Sequence, residues 1–312
     1  MIKPSNLFLI SFCALLLVSS RLDAAKPFCL VDLYGTEYED TSFEEEGFTS
    51  DELHEIHNYD LTIYTAFPRI KLSDNFSFIP RFDFQKKTFK YFLENQYLAD
   101  HLPRHFRSAF LGFSTLIDFN DTWGLETYIA AGIESDHENT TNEDMKVKGS
   151  LMFNYNIEED FQISLGAAYD TYLGEEEFIP QLGFWWMPND LFYVNTVIPK
   201  FLEIAWTPTN RFHFGVEGEI RGAFYRLSDD PKKSFIESGI VKERFALAGI
   251  FTDFRIVKNL FLRASGGLRF AHTFKYYDMD DDDMLMDSDF EDVAYFQLAL
   301  HWTVNGPFAY FD

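Results

Sequence analysis

The densest run of residues able to do chemistry is Arg211-Phe212-His213-Phe214-Gly215-Val216-Glu217-Gly218-Glu219-Ile220-Arg221. In an extended chain, successive side chains point to opposite faces. Arg211, His213, Glu217, Glu219 and Arg221 therefore share one face, and Phe212, Phe214, Val216 and Ile220 share the other. Guanidinium, imidazole and carboxylate groups on one face can hold a charged solute or close on each other as ion pairs. The glycines let the backbone approach a neighbouring strand or a solute closely. The same alternation selects Arg81 and Asp83, Glu126, Lys148, and Arg263 with Arg269, each opposite an apolar set.

Catalysis is a poorer fit. A hydrolase needs a nucleophile or an activated water with a base beside it. The histidines are His54, His57, His101, His105, His137, His213, His272 and His301. His54 and His57 stand near Asp51, Glu52 and Glu55, and His101 stands near His105, but neither group has metal-ligand spacing. No Gly-x-Ser-x-Gly or His-Glu-x-x-His motif occurs. The reading is of a protein that is not an enzyme, with no catalytic residue, cofactor or metal site.

Two acidic tracts remain. One runs from Glu37 to Glu55 without a Lys or Arg, and the other from Asp278 to Asp292. Carboxylates are ligands for hard divalent cations, yet neither tract has the spacing of a dedicated calcium loop. Solvated external loops are the simpler reading. Loose Ca²⁺ or Mg²⁺ bridging to the phosphates of lipopolysaccharide is the sharper one. The whole chain has 312 residues and a formal charge of −24, which disfavours nucleic acid. An acidic mouth favours cations over anions.

The elements that position these groups are strands. In 161–170, Phe161, Ile163, Leu165, Ala167 and Tyr169 oppose Gln162, Ser164, Gly166, Ala168 and Asp170. In 260–274, Leu262, Ala264, Leu268, Phe270 and Phe274 oppose Arg263, Ser265, Gly267 and Arg269. Such runs are expected over 60–70, 76–86, 108–119, 122–133, 146–157, 161–172, 178–187, 191–198, 201–207, 211–225, 240–256, 260–275 and 291–304, with a first strand at 28–34. Short turns rich in Asn, Asp and Pro, the residues that accept hairpin geometry, alternate with longer connections at 36–58, 87–107, 134–145, 173–177, 226–239 and 276–290. The segment 87–107 reads equally as a loop, a short helix or an infolded plug.

The N-terminus has a basic start, the apolar run Leu7–Val18 and a small-residue exit at Ala24-Ala25, the pattern of a secretory signal peptide. That run is too short to cross a bilayer as a helix, and no later stretch is long enough. Cys13 would leave with the signal, and Cys29 would then stand alone. Removing Lys3, Arg21 and Asp23 leaves a charge of about −25. An exported chain with 36 phenylalanines has a use for them on a surface that faces lipid. Only a closed sheet crosses lipid without unpaired edges. The expectation is a signal at 1–25 and one domain at 26–312. That domain is an all-β transmembrane antiparallel β-barrel of about 14 strands, or 12, with short periplasmic turns and longer extracellular loops.

The stretch Phe178-Ile179-Pro180-Gln181-Leu182-Gly183-Phe184-Trp185-Trp186-Met187-Pro188-Asn189-Asp190 is followed by Ile198-Pro199-Lys200 and by Leu202-Glu203-Ile204-Ala205-Trp206-Thr207-Pro208-Thr209-Asn210. It resembles the DUF6268 family of bacterial outer-membrane β-barrel proteins, in which similar Pro-x-Leu-Gly and compact Pro turns link successive strands. The match is specific over about 178–225 and general elsewhere. The resemblance implies a porin-like architecture, a Gram-negative outer-membrane location and use of the barrel-assembly machinery, and it supplies no substrate. The chain ends on Phe311-Asp312, whereas barrels of this class usually end on an aromatic residue. Two functions stay open. One is a passive channel for small solutes with a cation preference, and the other is a structural or surface-interaction barrel with a blocked lumen. The oligomeric state is not set by the sequence.

Overall fold

Strands with one apolar and one polar face have to pair edge to edge and turn one face inward, and these strands form a single ladder. The computed structural model describes residues 28–39, 44–45, 53–67, 70–93, 104–136, 140–227, 239–257, 260–278, 284–290 and 292–302. The expected leader at 1–25, the turn Lys258-Asn259 and the end Phe308–Asp312 lie outside the described residues.

In chain order the strands are β1 (Phe28–Glu39), β2 (Glu44–Glu45), β3 (Leu53–Ala66), β4 (Ile70–Ser73), β5 (Phe76–Leu93), β6 (His105–Asp118) and β7 (Trp123–Ser135). After a 3₁₀ turn at Asn142–Asp144 come β8 (Met145–Glu158), β9 (Phe161–Asp170), β10 (Glu177–Asn189), β11 (Phe192–Ile198), β12 (Phe201–Thr209) and β13 (Phe212–Arg226). The last four are β14 (Gly239–Val257), β15 (Leu260–Asp278), β16 (Met284–Phe290) and β17 (Val293–Trp302). Among the described residues no helix is long and apolar enough to cross a membrane.

The expectation of one simple transmembrane ring of about 14 strands, or 12, is corrected. The ladder holds 17 strands. It also carries a parallel bridge between β7 and β13, Ser135 to Arg226. That bridge closes a seven-stranded ring over β7–β13, and seven further long strands lie outside it: β1, β3, β5, β6, β14, β15 and β17.

A length mismatch explains the bridge. β11 and β12 have only 7 and 9 residues, and β12 pairs with β13 no further than Phe201↔Glu219. Residues 220–226 of β13 are left with an edge that no adjacent strand covers, and such edges seek partners. The backbone N–H of Ile220 donates to the Lys200 carbonyl at 2.9 Å, and that of Asp136 to the Arg226 carbonyl at 3.2 Å. Gly222 faces the 171–174 turn, and a Cβ there would lie 2.6 Å from the Tyr172 carbonyl and 2.8 Å from the Gly174 nitrogen. Only glycine allows that approach.

Several expected loops are strand. β1 and β3 pair up to Glu39↔Glu55, inside the stretch 36–58. β5 runs to Leu93 and pairs with β6 up to Thr88↔His105, inside 87–107. β16 lies within the acidic tract and pairs with both β15 and β2. β14 and β15 have 19 residues each, or about 60 Å of extended chain.

Apolar side chains crowd the outer face. Leu111, Leu165, Phe178 and Ile250 are 65–79% exposed there, and Ile129, Leu151, Phe153, Leu202, Trp206, Phe254 and Leu268 are exposed beside them. On the other face the polar residues Asn58, Asp60, Lys87, Glu134, His213, Glu243, Asp253 and Arg269 are buried. This is the inverse of a water-soluble domain.

Candidate functional site

The inward face is layered from the rim that carries the longer connections to the rim that carries the short turns. At the first rim lies an aromatic layer drawn from β5, β6, β13, β14 and β15. Phe89 and Phe106 meet edge to face at 5.7 Å, Phe106 lies 4.7 Å from Tyr225, and Phe274 lies 5.4 Å from Phe89. Val241, Leu227 and Tyr276 complete it.

Beneath this layer sits a buried ionic cluster. Glu243, fully buried, accepts from Lys87 Nζ and, at 2.8 Å, from Arg269. His272 Nε2 lies 3.1 Å from the same carboxylate, and Asp60 stands 3.8 Å from Lys87. The Phe245 ring lies between the two cations, 3.6 Å from the Arg269 guanidinium and 5.1 Å from Lys87 Nζ. Ring faces attract cations, so the phenyl group helps hold both in place.

Arg269 and His272 reach Glu243 together because of a bulge. Ala271 adopts φ 50°, and the β14–β15 register shifts between Arg244 and Ala246. The extra residue turns His272, Phe274 and Tyr276 inward with Arg269. The expected grouping of Phe274 with outward Leu262 and Leu268 fails beyond Ala271 for this reason.

Below the cluster lies a cavity of about 200 Å³. Glu203, Glu217, Glu219, Arg221 and Arg263 are on its wall, with Tyr64, Phe201, Leu247 and Gln297. Arg263 donates to Asp253 at 2.8 and 2.9 Å, to Glu203 at 2.8 Å and to Glu217 at 3.5 Å, and stacks 4.0 Å over Phe251. Arg221 donates to Glu219 at 2.9 Å. Toward the short-turn rim lies a second apolar layer of Met187, Tyr193, Ala205, Phe251 and Phe261. His213, fully buried, stacks 5.2 Å from Phe261 and lies 3.9 Å from Asp253.

Within the seven-stranded ring the polar groups form their own set. Lys148 stands 3.5 Å from both Glu134 and Asp170, and Lys146 stands 3.1 Å from Glu176. Lys146 also donates to the Phe224 carbonyl and lies 3.7 Å over that ring, tying β8 to β13. From β5, outside the seven-stranded ring, Asp83 accepts from the Tyr128 hydroxyl of β7 at 2.7 Å, with Arg81 stacked 5.4 Å over the tyrosine ring.

Of the residues that the sequence singles out, the structure gathers Glu217, Glu219, Arg221 and Arg263 around the cavity and sets Arg269 in the ionic cluster. Arg81, Asp83 and Lys148 lie in the polar set nearer β7–β9. Glu126 pairs across to buried Met152 and so shares its inward face. Arg211 lies in the exposed turn between β12 and β13, where its carbonyl accepts from the Arg255 backbone N–H at 2.9 Å. Lys87, Glu243, His272, Asp253 and Glu203 were missed as site residues. Lys87 lies in the stretch 87–107, where the sequence predicts a connection. Glu243 and Asp253 belong to β14, where both alternating sets mix charged and apolar residues. Among the described residues no group of His, Cys, Asp and Glu is arranged to hold a metal ion.

Residues 85–303 match the family described as "Domain of unknown function (DUF6268)". No curated protein matches the chain. Among solved structures, an outer membrane channel from Pseudomonas putida F1 is 8% identical with TM-score 0.42, over 90% of this chain and 98% of that one. The TodX monoaromatic hydrocarbon channel (a deltaS2 mutant) is 10% identical with TM-score 0.37, over 91% of each chain. The KdgM porin in complex with disordered oligogalacturonate is 9% identical with TM-score 0.33, over 88% and 99%.

Proposed function

This chain belongs to the DUF6268 family, and from its geometry we propose that it is a bacterial outer-membrane channel-type barrel whose lumen is shut at rest by side chains. The observation that carries this reading is the inverted surface. Leu165, Phe178 and Ile250 are exposed on the outer face, while Arg269, Glu243 and Lys87 are buried on the inner one. Hydrocarbon outside and polar groups within is the arrangement a membrane-crossing β wall requires. The aromatic residues Trp186, Phe192, Trp206, Phe212 and Phe214 gather near the short-turn rim, where rings anchor a wall at the lipid–water boundary.

In this reading the two apolar layers are the barriers and the acidic cavity between them is the resting place of a small solute. Cations are favoured over anions by the carboxylates on its wall. The short turns face the periplasm, and the acidic connections face outward toward lipopolysaccharide, bridged by divalent cations.

The test is conductance in a planar lipid bilayer. The native protein gives rare or brief openings. Phe89→Ala and Phe106→Ala in the first layer, combined with Tyr193→Ala and Phe261→Ala in the second, give steady steps, with a reversal potential that reports cation preference. A second reading, a structural barrel with a permanently sealed lumen, is favoured by the burial of Glu243 between Lys87 and Arg269. Silence from both folded proteins would establish it and end the channel reading.

A further inference from the structure

We propose that the mid-lumen cavity is a binding site for a small primary alkylammonium ion. The inference rests on the existence of the closed lumen and not on conduction through it.

The wall is chemically two-sided. Glu203, Glu217 and Glu219 supply three carboxylates against the two guanidinium groups of Arg221 and Arg263. Asp253, just outside the cavity, takes the Nε and one Nη of Arg263 at 2.8 and 2.9 Å. Glu203 takes the other Nη at 2.8 Å and the first at 3.3 Å, and Glu217, which accepts from the Tyr295 hydroxyl at 3.1 Å, approaches Arg263 at 3.5 Å. Arg263 is thus divided among three carboxylates, and Arg221 is engaged by Glu219. Negative charge exceeds positive where the wall meets the void. The void is partly open, with Glu219 and Tyr64 exposed to it, so a cation can enter and offset the repulsion among the carboxylates.

The other side of the cavity is apolar. Leu247, 4% exposed, and Phe201 offer alkyl and ring surface. Tyr64 lines the same void and is 45% exposed, a large ring with open space before it on a face where its neighbours Thr62 and Asp60 are buried. An aromatic face beside carboxylates suits an ammonium group, which gains from both.

Size completes the match. An apolar cavity of about 150 Å³ accepts benzene, so about 200 Å³ admits a ligand of five or six heavy atoms. The ammonium end would lie between Glu217 and Glu219, two residues apart on the inward face of β13, with the alkyl tail against Leu247 and Phe201. A bare metal ion is a poorer occupant, since no metal-ligating group is assembled among the described residues.

The experiment is isothermal titration of the purified, detergent-folded full chain with n-butylammonium chloride, with butan-1-ol as the neutral probe of the same shape. Saturable binding of the amine, with no heat beyond dilution from the alcohol, is expected. Glu219→Gln should weaken it at least tenfold. Glu219 is partly exposed and its loss leaves the Arg263 cluster intact, so that variant folds, which gel mobility before and after boiling checks. Glu217→Gln should weaken binding similarly. Equal heats from amine and alcohol, or undiminished affinity in folded Glu219→Gln, would overturn the site. Neither outcome depends on conductance, so a silent bilayer and an empty cavity are separate results.

Discussion

Arg269 and His272 stand three residues apart in one strand, yet both reach the carboxylate of Glu243, at 2.8 and 3.1 Å. A regular strand would place them on opposite faces. The bulge at Ala271 therefore decides which side chains form the ionic cluster, and the cluster in turn supports the aromatic layer above it.

Ala271 holds φ 50°, a conformation that costs a residue with a Cβ roughly 1–2 kcal/mol and a β-branched residue more. Ala271→Gly should leave stability unchanged or raise it by up to about 1 kcal/mol, the relief being partly offset by glycine's greater unfolded-state entropy. Ala271→Val should lose 1 kcal/mol or more. Urea unfolding in lipid vesicles, followed by tryptophan fluorescence, ranks the three. A valine variant as stable as the native protein would mean that the bulge is absent.

Removal of Glu243 should be costly. Glu243→Gln takes the shared carboxylate from both Lys87, which keeps Asp60 at 3.8 Å, and Arg269, which keeps His272 beside it. Breaking a buried pair in this way costs roughly 3–5 kcal/mol. Lys87→Met should cost less, because Glu243 keeps Arg269 and the methionine stem can still pack on Phe245. The same unfolding experiment on both variants tests the order, and the reverse order would show that the cluster is not organised around Glu243.

How far the sequence reveals this arrangement depends on how local the determining signal is. β9 is legible because Leu165 and Ser164 alternate cleanly, and the strand expected at 161–172 is found at 161–170. β14 hides its faces. Val241, Glu243, Phe245 and Asp253 turn inward while Lys242, Arg244 and Ile250 turn outward, so neither set is purely apolar. The bulge at Ala271 has no sequence mark, since Phe270-Ala271-His272 contains neither Gly nor Asn. The bridge from Ser135 to Arg226 is a long-range consequence of a short β11–β12 hairpin, and no run of residues records it. Pairing inside hairpins is local; contacts across the interior are not.

The 171–174 turn packs on β13 through Gly222. Gly222→Val would drive a side chain into the Tyr172 carbonyl at 2.6 Å and the Glu243 carbonyl at 2.7 Å, both backbone atoms that cannot swing aside. Overpacking of this kind costs about 1–3 kcal/mol. The turn should detach, and cleavage by a glutamate-specific protease at Glu175, Glu176 and Glu177, which are exposed but held beside a packed turn, should be faster than in the native protein. Unchanged cleavage would place the turn elsewhere.

The surface argument has its own test, in which a charge is placed on each face of one strand. Leu165 is 65% exposed on the outer face of β9, and Gln162 lies on the inner face among Ser164 and Asn154. For a water-soluble protein, Leu165→Arg would be nearly neutral, since the side chain already meets solvent. In a bilayer the same arginine faces hydrocarbon and costs about 2–4 kcal/mol near the midplane. Gln162→Arg should cost less, because its surroundings are polar. Folding into phospholipid vesicles, measured with urea titration, should show the outer variant weakened well beyond the inner one. Ile250→Arg, at 69% exposure on β14, should repeat the result on the far side of the wall. If both outer arginines leave the folding free energy untouched, the apolar belt does not face lipid, and the membrane reading falls with it.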